Sequence, residues 1–207
     1  SGVLQISRLG SINNSVFDIE RCNKSEGISI VSCSFLSQVK RVHLIIEAIQ
    51  NISCTKIHWV HLGGGPLEPE LLELVSKIKK DNITIEFKGM MSNSEILKYY
   101  KNNCIDAFVN VSSSEGIPVS IMEAQSFGIP VIATNVGGVS EIVNNSNGLL
   151  ICADPSLKEL VSSILLINSP SWKSKRERSY NNWNQNYNAT KNYAIYAGGI
   201  FNFLLLL

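Results

Sequence analysis

The stretch Ile105–Ala133, IDAFVNVSSSEGIPVSIMEAQSFGIPVIA, decides the fold, because strand, helix and strand patterns follow one another in it directly. Its first segment, from Ile105 to Val111, is almost continuously apolar, which is typical of a strand that is covered on both faces of a parallel sheet. Pro118 suits the first turn of the helix that follows, and Gly128 suits its end. The unit therefore predicts a parallel α/β sheet.

The same alternation extends over residues 28–170. Strand-like runs begin at Ile28, Lys56, Asn82, Ile105, Ile129 and Gly148, and apolar residues at helical spacing follow them. We expect Asp154-Pro155 to cap the helix after the last strand. Because right-handed crossovers place all strand-to-helix loops at one edge of the sheet, the glycine-rich loops should gather there. The sequence predicts a doubly wound, Rossmann-like domain.

The two ends of the chain differ from this central part. Residues 1–27 are polar and poorly periodic, which predicts an irregular lead-in or interdomain linker, and residues 171–207 are predicted to form C-terminal helices. Aromatic and apolar residues define two such helices, the first with Trp172, Tyr180, Trp183 and Tyr187 and the second with Tyr193, Tyr196, Ile200 and Leu204.

The composition of the chain argues against several classes of function. The chain has 207 residues, of which 44% are hydrophobic, and its formal net charge is +1. This predicts a real core and gives no electrostatic reason to expect nucleic acid as a partner. Five cysteines with no C-x-x-C pair argue against a disulfide framework or a zinc site. With no visible signal peptide, and with an apolar run at Phe203–Leu207 too short to span a bilayer, we expect a cytoplasmic protein.

Two glutamates, Glu115 and Glu123, frame the most informative loop. Eight residues of helix correspond to ~12 Å of axial rise. Two carboxylates that flank one scissile bond lie only ~5–10 Å apart, so an acid/base pair is disfavoured. The spacing suits a long ligand with hydroxyls at both ends and phosphates between them, such as a nucleotide-sugar. From the residues alone, two ordinary surface or helix-start glutamates are about equally well supported.

The segment from Glu115 to Glu123, followed by Gly128-Ile-Pro-Val-Ile-Ala-Thr and Val136-Gly-Gly138, resembles the E-x7-E signature of the retaining glycosyltransferases of family 4. Val31 to Arg41 is similar to the phosphate-binding segment of that family, and His61 to Pro66 to its second loop. Phe87-Lys-Gly89 resembles its base-binding turn. The resemblance covers about residues 28–190 in the family's order and spacing.

The resemblance implies the donor-binding, C-terminal half of a GT-B glycosyltransferase. Such an enzyme moves a sugar from a nucleotide-sugar to an acceptor glycan or lipid-linked saccharide and keeps the anomeric configuration. The resemblance implies no metal and no cofactor apart from the donor. The family's N-terminal domain, which carries most acceptor contacts, has no counterpart here, so we expect this chain alone to be inactive. Peripheral membrane association is an alternative for the full-length protein.

The resemblance also assigns site residues. It implies that Lys40 binds the donor diphosphate and Glu115 the hydroxyls of the donor sugar, and these two are the candidate catalytic residues. Glu123 would accept hydrogen bonds from the ribose, and Gly89 and Met90 would lie beside the base. The other candidate donor-binding positions are Gly63, Gly64, Gly116, Ile117 and Pro118, although Pro118 itself has no N–H group.

One position departs from the family. Phe35 stands where the family commonly has an arginine that contacts the diphosphate, and we do not expect Arg41 to replace it. Three alternatives stay open. The first is a GT-B sugar-nucleotide epimerase, with His61 as the local acid/base candidate. The second is a phosphorylase, for which no pyridoxal phosphate lysine motif is visible. The third is a non-catalytic nucleotide-binding module, which Phe35 favours.

Overall fold

The computed structural model describes residues 10–13, 27–194 and 197. The described residues form one six-stranded sheet with the order β3-β2-β1-β4-β5-β6, in which every pairing is parallel. The strands are β1 (Ile28–Cys33), β2 (Ile57–Leu62), β3 (Ile83–Phe87), β4 (Ala107–Asn110), β5 (Val131–Thr134) and β6 (Gly148–Ile151). The predicted doubly wound α/β fold is confirmed.

Helices follow the strands as the sequence predicts. They are α1 (His43–Gln50), α2 (Glu68–Ser76), α3 (Asn93–Asn102), α4 (Val119–Ser126), α5 (Val139–Ile142), α6 (Leu157–Leu165), α7 (Pro170–Lys173) and α8 (Lys175–Asn186). Short 3-10 turns at Gln38–Lys40 and Leu166–Asn168 complete the connections. Among the described residues, no helix is both long and apolar enough to cross a membrane.

The helices cover both faces of the sheet. Helices α1, α2 and α6 pack on the face that carries Ile30 and Trp59, and α3, α4, α5 and α8 pack on the face that carries Val31 and Phe108. Successive strands are added in one direction from β1 to β3 and in the other from β4 to β6. The direction reverses between β1 and β4, and ligands of open α/β sheets bind in the crevice at such a reversal.

Local capping signals fix several helix ends. Ser92 accepts a hydrogen bond from the N–H of Glu95, whose carboxylate accepts one from the N–H of Ser92 at 2.8 Å, so the capping box of α3 is present. Gly128 has φ 66° just after α4. The prediction that Asp154-Pro155 caps α6 is wrong, because the N-cap is Ser156, whose hydroxyl accepts from the N–H of Glu159 at 3.2 Å.

The two ends of the described chain meet near the C-terminal end of α8. Ser11 pairs with Asn188 in an isolated parallel bridge, and the indole N–H of Trp183 donates to the Ser11 hydroxyl at 2.9 Å. The prediction that Trp172 shares a helix with Tyr180 is wrong, because α7 ends at Lys173 before α8 begins. Most of the predicted lead-in 1–27, together with Tyr196, Ile200 and Leu204 of the last predicted helix, lies outside the described residues. The proposed domain boundaries stay predictions.

Candidate functional site

All the candidate site residues lie beyond the carboxyl ends of the strands. They occupy the loops after four neighbouring strands: Lys40 after β1, Gly63 and Gly64 after β2, Gly89 and Met90 after β3, and Glu115, Gly116, Ile117 and Pro118 after β4. Glu123 lies in α4, the helix that follows the last of these loops. The structure therefore places the predicted residues at one edge of the sheet, while their binding roles stay predictions.

The loops after β1, β2 and β3 form one wall through backbone contacts. Gly63 has φ 124°, and a Cβ atom there would lie 2.1 Å from the carbonyl oxygen of Ser34. Its N–H donates to the carbonyl of Gly89 at 2.9 Å, and the N–H of Leu36 donates to the carbonyl of Gly64 at 3.0 Å. Only glycine permits both this backbone conformation and this approach of the loops.

Lys40 and Glu115 form an ion pair across the crevice. The Lys40 Nζ lies 2.6 Å from the Glu115 Oε1, and the two side chains are 25% and 10% exposed. The Asn110 amide donates to the same Oε1 at 3.1 Å. Burial alone would raise the pKa of Glu115, but hydrogen bonds from Lys40, Ser112 and Asn110 outweigh it and lower the pKa below the ordinary range. Glu115 is thus an ionised carboxylate near neutral pH, and it accepts a hydrogen bond from the Lys40 ammonium.

The glycine turn before α5 supports the Glu115 loop from behind. Gly137 has φ 51°, and a Cβ atom there would lie 1.8 Å from the carbonyl oxygen of Glu115. The N–H of Gly138 donates to the carbonyl of Gly116 at 3.1 Å, and the Ile117 side chain packs against Gly138. A Cβ atom on Gly116, by contrast, would meet nothing within 4 Å. Gly116 therefore leaves its own surface open to a ligand.

Glu123 is a second, more buried carboxylate at this edge, with 8% of the residue exposed. Burial raises its pKa, and the hydrogen bond from the Asn93 amide, at 2.5 Å, opposes that rise. Both residues line a pocket of about 670 Å³ between α3 and α4, which residues 10–13 bound on a further side. A buried carboxylate that faces a pocket is suited to accept hydrogen bonds from ligand hydroxyls.

Arg41 does not supply the cation that is missing at position 35, where this chain has phenylalanine. Its guanidinium donates to the carbonyls of Val111 at 2.8 Å, Ser112 at 3.1 Å and Ala153 at 2.6 Å, so it joins the loops after β1, β4 and β6. Arg41 also has φ 46°, a left-handed backbone that costs a non-glycine residue ~1 kcal/mol. Phe35 is 56% exposed at the same edge. Arg41 therefore holds these loops together. This role is compatible with the prediction that Arg41 does not replace an arginine at position 35.

His61 belongs to the core. Its Nε2 lies 3.1 Å from the carbonyl oxygen of Ser34, which can only accept, so Nε2 carries the proton. Nδ1 then accepts from the Ser32 hydroxyl at 2.8 Å, and this hydroxyl accepts from the Trp59 indole at 3.0 Å. Burial lowers the pKa of His61 to about 4. His61, the acid/base candidate of the epimerase alternative, is therefore a buried, neutral residue with a structural role.

Sequence reasoning assigned no site role to Asn93 or Asn110, and it did not find the partners of Arg41. Asn110 is a polar residue at the end of an otherwise apolar strand, which is a usable signal for a site residue. Asn93 lies inside the capping box of α3, whose motif directs attention to Ser92 and Glu95 instead. Nothing local marks Arg41, because the partners of its guanidinium among the described residues lie at least 70 residues away along the chain.

The chain is similar to known proteins both in sequence and in fold. Residues 18–186 match the family model described as "Glycosyl transferases group 1". The O-antigen biosynthesis glycosyltransferase WbnH of Escherichia coli is 32% identical over 142 residues, which are 68% of this chain and 38% of WbnH. Across the curated relatives, the matched part amounts to between 30% and 44% of the relative's length.

Solved structures share the fold. HepE from Anabaena, determined in complex with UDP, superposes with a TM-score of 0.71 at 20% identity and matches 86% of this chain and 49% of its own. The apo form of the lipopolysaccharide outer core galactosyltransferase WaaB has a TM-score of 0.77 at 17% identity, over 94% of this chain and 56% of its own. At these identities the likeness concerns the architecture alone.

Proposed function

The chain belongs to the glycosyl transferases group 1 family, and we propose that it is the donor-binding half of such an enzyme, with a nucleotide-sugar bound at the carboxyl edge of its sheet. The observation that carries the proposal is the juxtaposition of the Lys40–Glu115 ion pair with the start of α4, with Glu123 in the same helix. This arrangement offers hydroxyl acceptors at two positions, and a cation together with a helix N-terminus for phosphate.

Each part of the donor has a proposed partner. Lys40 binds the diphosphate, Glu115 accepts hydrogen bonds from hydroxyls of the sugar, and Glu123 accepts them from the ribose. Backbone groups of Gly116 and Ile117 come close to the ligand because the loop surface at Gly116 is open. The remaining candidates frame the same edge: Gly63, Gly64, Gly89 and Met90 toward the base, and Pro118 as the N-cap of α4. UDP is the first nucleotide to test, since HepE was determined in complex with it.

The proposed reaction transfers the sugar to an acceptor glycan or lipid-linked saccharide with retention of configuration. This half of the enzyme holds the donor in a reactive position and stabilises the charge that develops on the departing diphosphate. The acceptor is bound by an N-terminal domain beyond this chain. We place the whole enzyme in the cytoplasm, with peripheral membrane association where the acceptor is lipid-linked.

A non-catalytic nucleotide-binding module is the second candidate. The exposed Phe35 favours it, because Lys40, the cation proposed for the diphosphate, is already paired with Glu115 and position 35 adds no second one. Both candidates bind nucleotide, whereas only the first transfers a sugar when the donor half is joined to its acceptor half.

Calorimetric titration of the chain with UDP, GDP, ADP and UDP-glucose tests the proposal. We expect one nucleotide to bind, and Lys40→Ala and Glu123→Ala to weaken it about tenfold or more, because each removes a charge-assisted hydrogen bond. The exposed Glu73–Lys77 pair on α2, at 2.8 Å, provides the controls Lys77→Ala and Glu73→Ala, which should bind like wild type. Failure of every nucleotide to bind the folded wild-type chain would contradict the proposal.

A further inference from the structure

The Lys40–Glu115 pair uses both groups that the proposed donor requires. The ammonium and the carboxylate lie 2.6 Å apart. A diphosphate can contact Lys40 fully only if the ammonium leaves Glu115, and it then approaches a carboxylate that has lost its cation. The cost falls on Glu115, whose side chain is only 10% exposed, so water replaces the lost partner poorly.

The surroundings confine this exchange to Lys40. Asn110 holds the same Oε1 of Glu115 at 3.1 Å, so the carboxylate stays in place when the ammonium leaves. The Arg41 guanidinium is bonded to the carbonyls of Val111, Ser112 and Ala153 and to the Asp154 carboxylate, and none of these described bonds goes to Glu115. The Phe35 side chain carries none.

Two ligands meet this pair differently. A nucleotide-sugar carries sugar hydroxyls that can donate to Glu115 in place of the ammonium, so both members of the pair gain a new partner. A free nucleoside diphosphate carries no such group beyond its terminal phosphate. It leaves the Glu115 carboxylate without a replacement donor and adds an anion near it.

We propose that the Lys40–Glu115 ion pair makes Glu115 a specificity-determining residue, which selects the nucleotide-sugar over the free nucleoside diphosphate. The inference rests on the proposed function and deepens it. Once the sugar has left, Lys40 returns to Glu115, and this competition promotes release of the nucleotide product.

The test compares UDP with UDP-glucose, or the matching GDP or ADP pair if the titrations show that base to bind. Wild-type chain should bind the nucleotide-sugar about fivefold or more tighter than the free diphosphate. Glu115→Gln should tighten the free diphosphate by about the same factor, so that the preference for the nucleotide-sugar is lost. Glu73→Gln makes the same change in an exposed ion pair and should alter neither affinity.

A double-mutant cycle separates pairing from plain repulsion. In a Lys40→Gln background, Glu115→Gln should tighten the free diphosphate much less than it does in wild type, because no ammonium remains to be released. Equal tightening in both backgrounds overturns the inference, and so does unchanged or weaker binding of the diphosphate to Glu115→Gln. If that variant fails to unfold cooperatively, a wild-type chain that prefers the free diphosphate is sufficient to overturn it. Absence of any nucleotide binding to wild type instead overturns the proposed function itself.

Discussion

At the residue scale, His61 and Glu115 show how burial and hydrogen bonding decide whether an ionisable group is neutral or charged. His61 is completely buried, is bonded at both ring nitrogens and has a pKa lowered to about 4. Glu115 is partly exposed beside an open glycine, and its pKa is lowered by hydrogen bonds that outweigh its burial. The neutral His61 ring stabilises the junction of β1 and β2, whereas the ionised Glu115 carboxylate places a negative charge at the crevice.

The burial of His61 predicts a specific dependence of stability on pH. The unfolded histidine titrates near pH ~6.5 and the folded one near pH 4, so the unfolded chain takes up the proton first as pH falls. The stabilisation is therefore complete above pH ~6.5 and is lost progressively toward pH 4, up to about 3 kcal/mol.

Denaturant unfolding of wild type and His61→Gln measures this loss. The carboxylates titrate in both proteins, so their contribution cancels in the difference. The advantage of wild type over the variant should shrink by about 2 kcal/mol between pH 7 and pH 5. A difference that is constant over this range would show that His61 titrates alike in the folded and unfolded states.

At the element scale, helix starts connect stability to the site. Helices α3 and α6 both begin with a serine whose hydroxyl accepts from the N–H of a glutamate three residues later. In α3 the next residue is Asn93, which holds Glu123, whereas α6 lies on the other face of the sheet. The two caps are thus a matched pair, of which one borders the proposed ribose site.

Removal of each cap should therefore have the same effect on stability and a different effect on binding. Ser92→Ala and Ser156→Ala should each lower the free energy of unfolding by about 1 kcal/mol, the usual value of an N-cap hydroxyl. Only Ser92→Ala should weaken nucleotide binding, because it loosens the turn that positions Asn93. Denaturant unfolding and calorimetry on both variants measure this, and equal affinities would refute the link between the α3 cap and Glu123.

These elements also show where local patterns suffice. The capping box of α3 and the glycine after α4 are local signals, since each lies within a few residues of the helix end that it fixes. Asp154 is a good capping residue by type, but α6 begins only at Leu157, so Ser156 is its N-cap and the Asp154 carboxylate lies 3.3 Å from Arg41 instead. Trp172 was assigned to the wrong helix because helical spacing continues across the break at Ser174.

At the scale of the whole molecule, the reversal of strand order between β1 and β4 gathers the loops into one crevice. Residues 10–13 lie against the C-terminal part of the described chain. Ser11 pairs with Asn188, and its hydroxyl accepts a hydrogen bond from the Trp183 indole. The same segment bounds the pocket that Asn93 and Glu123 line. We therefore assign the proposed donor binding to this crevice, whereas the proposed transfer also requires a surface that holds the acceptor.

This division predicts that the chain alone binds a nucleotide-sugar but transfers little or no sugar. The chain spans between 30% and 44% of the length of its curated relatives, and the acceptor contacts are proposed to lie in the remainder. Release of nucleoside diphosphate from the donor, measured with and without saccharide acceptors, tests this, with calorimetry to show that the donor is bound. Robust acceptor-dependent release by the isolated chain would contradict the prediction.

By itself the sequence determined the order of strands and helices, the parallel sheet and the gathering of the glycine-rich loops at one edge. Periodicity and crossover handedness follow from neighbouring residues and from rules of chain connection, so they need no distant information. The tertiary structure alone decided the partners of the charged groups at the crevice. Lys40 meets Glu115 from 75 residues away, and Arg41 meets carbonyls at least 70 residues away. Such pairs form only where loops from different strands converge, and no local pattern encodes which side chain the next loop presents.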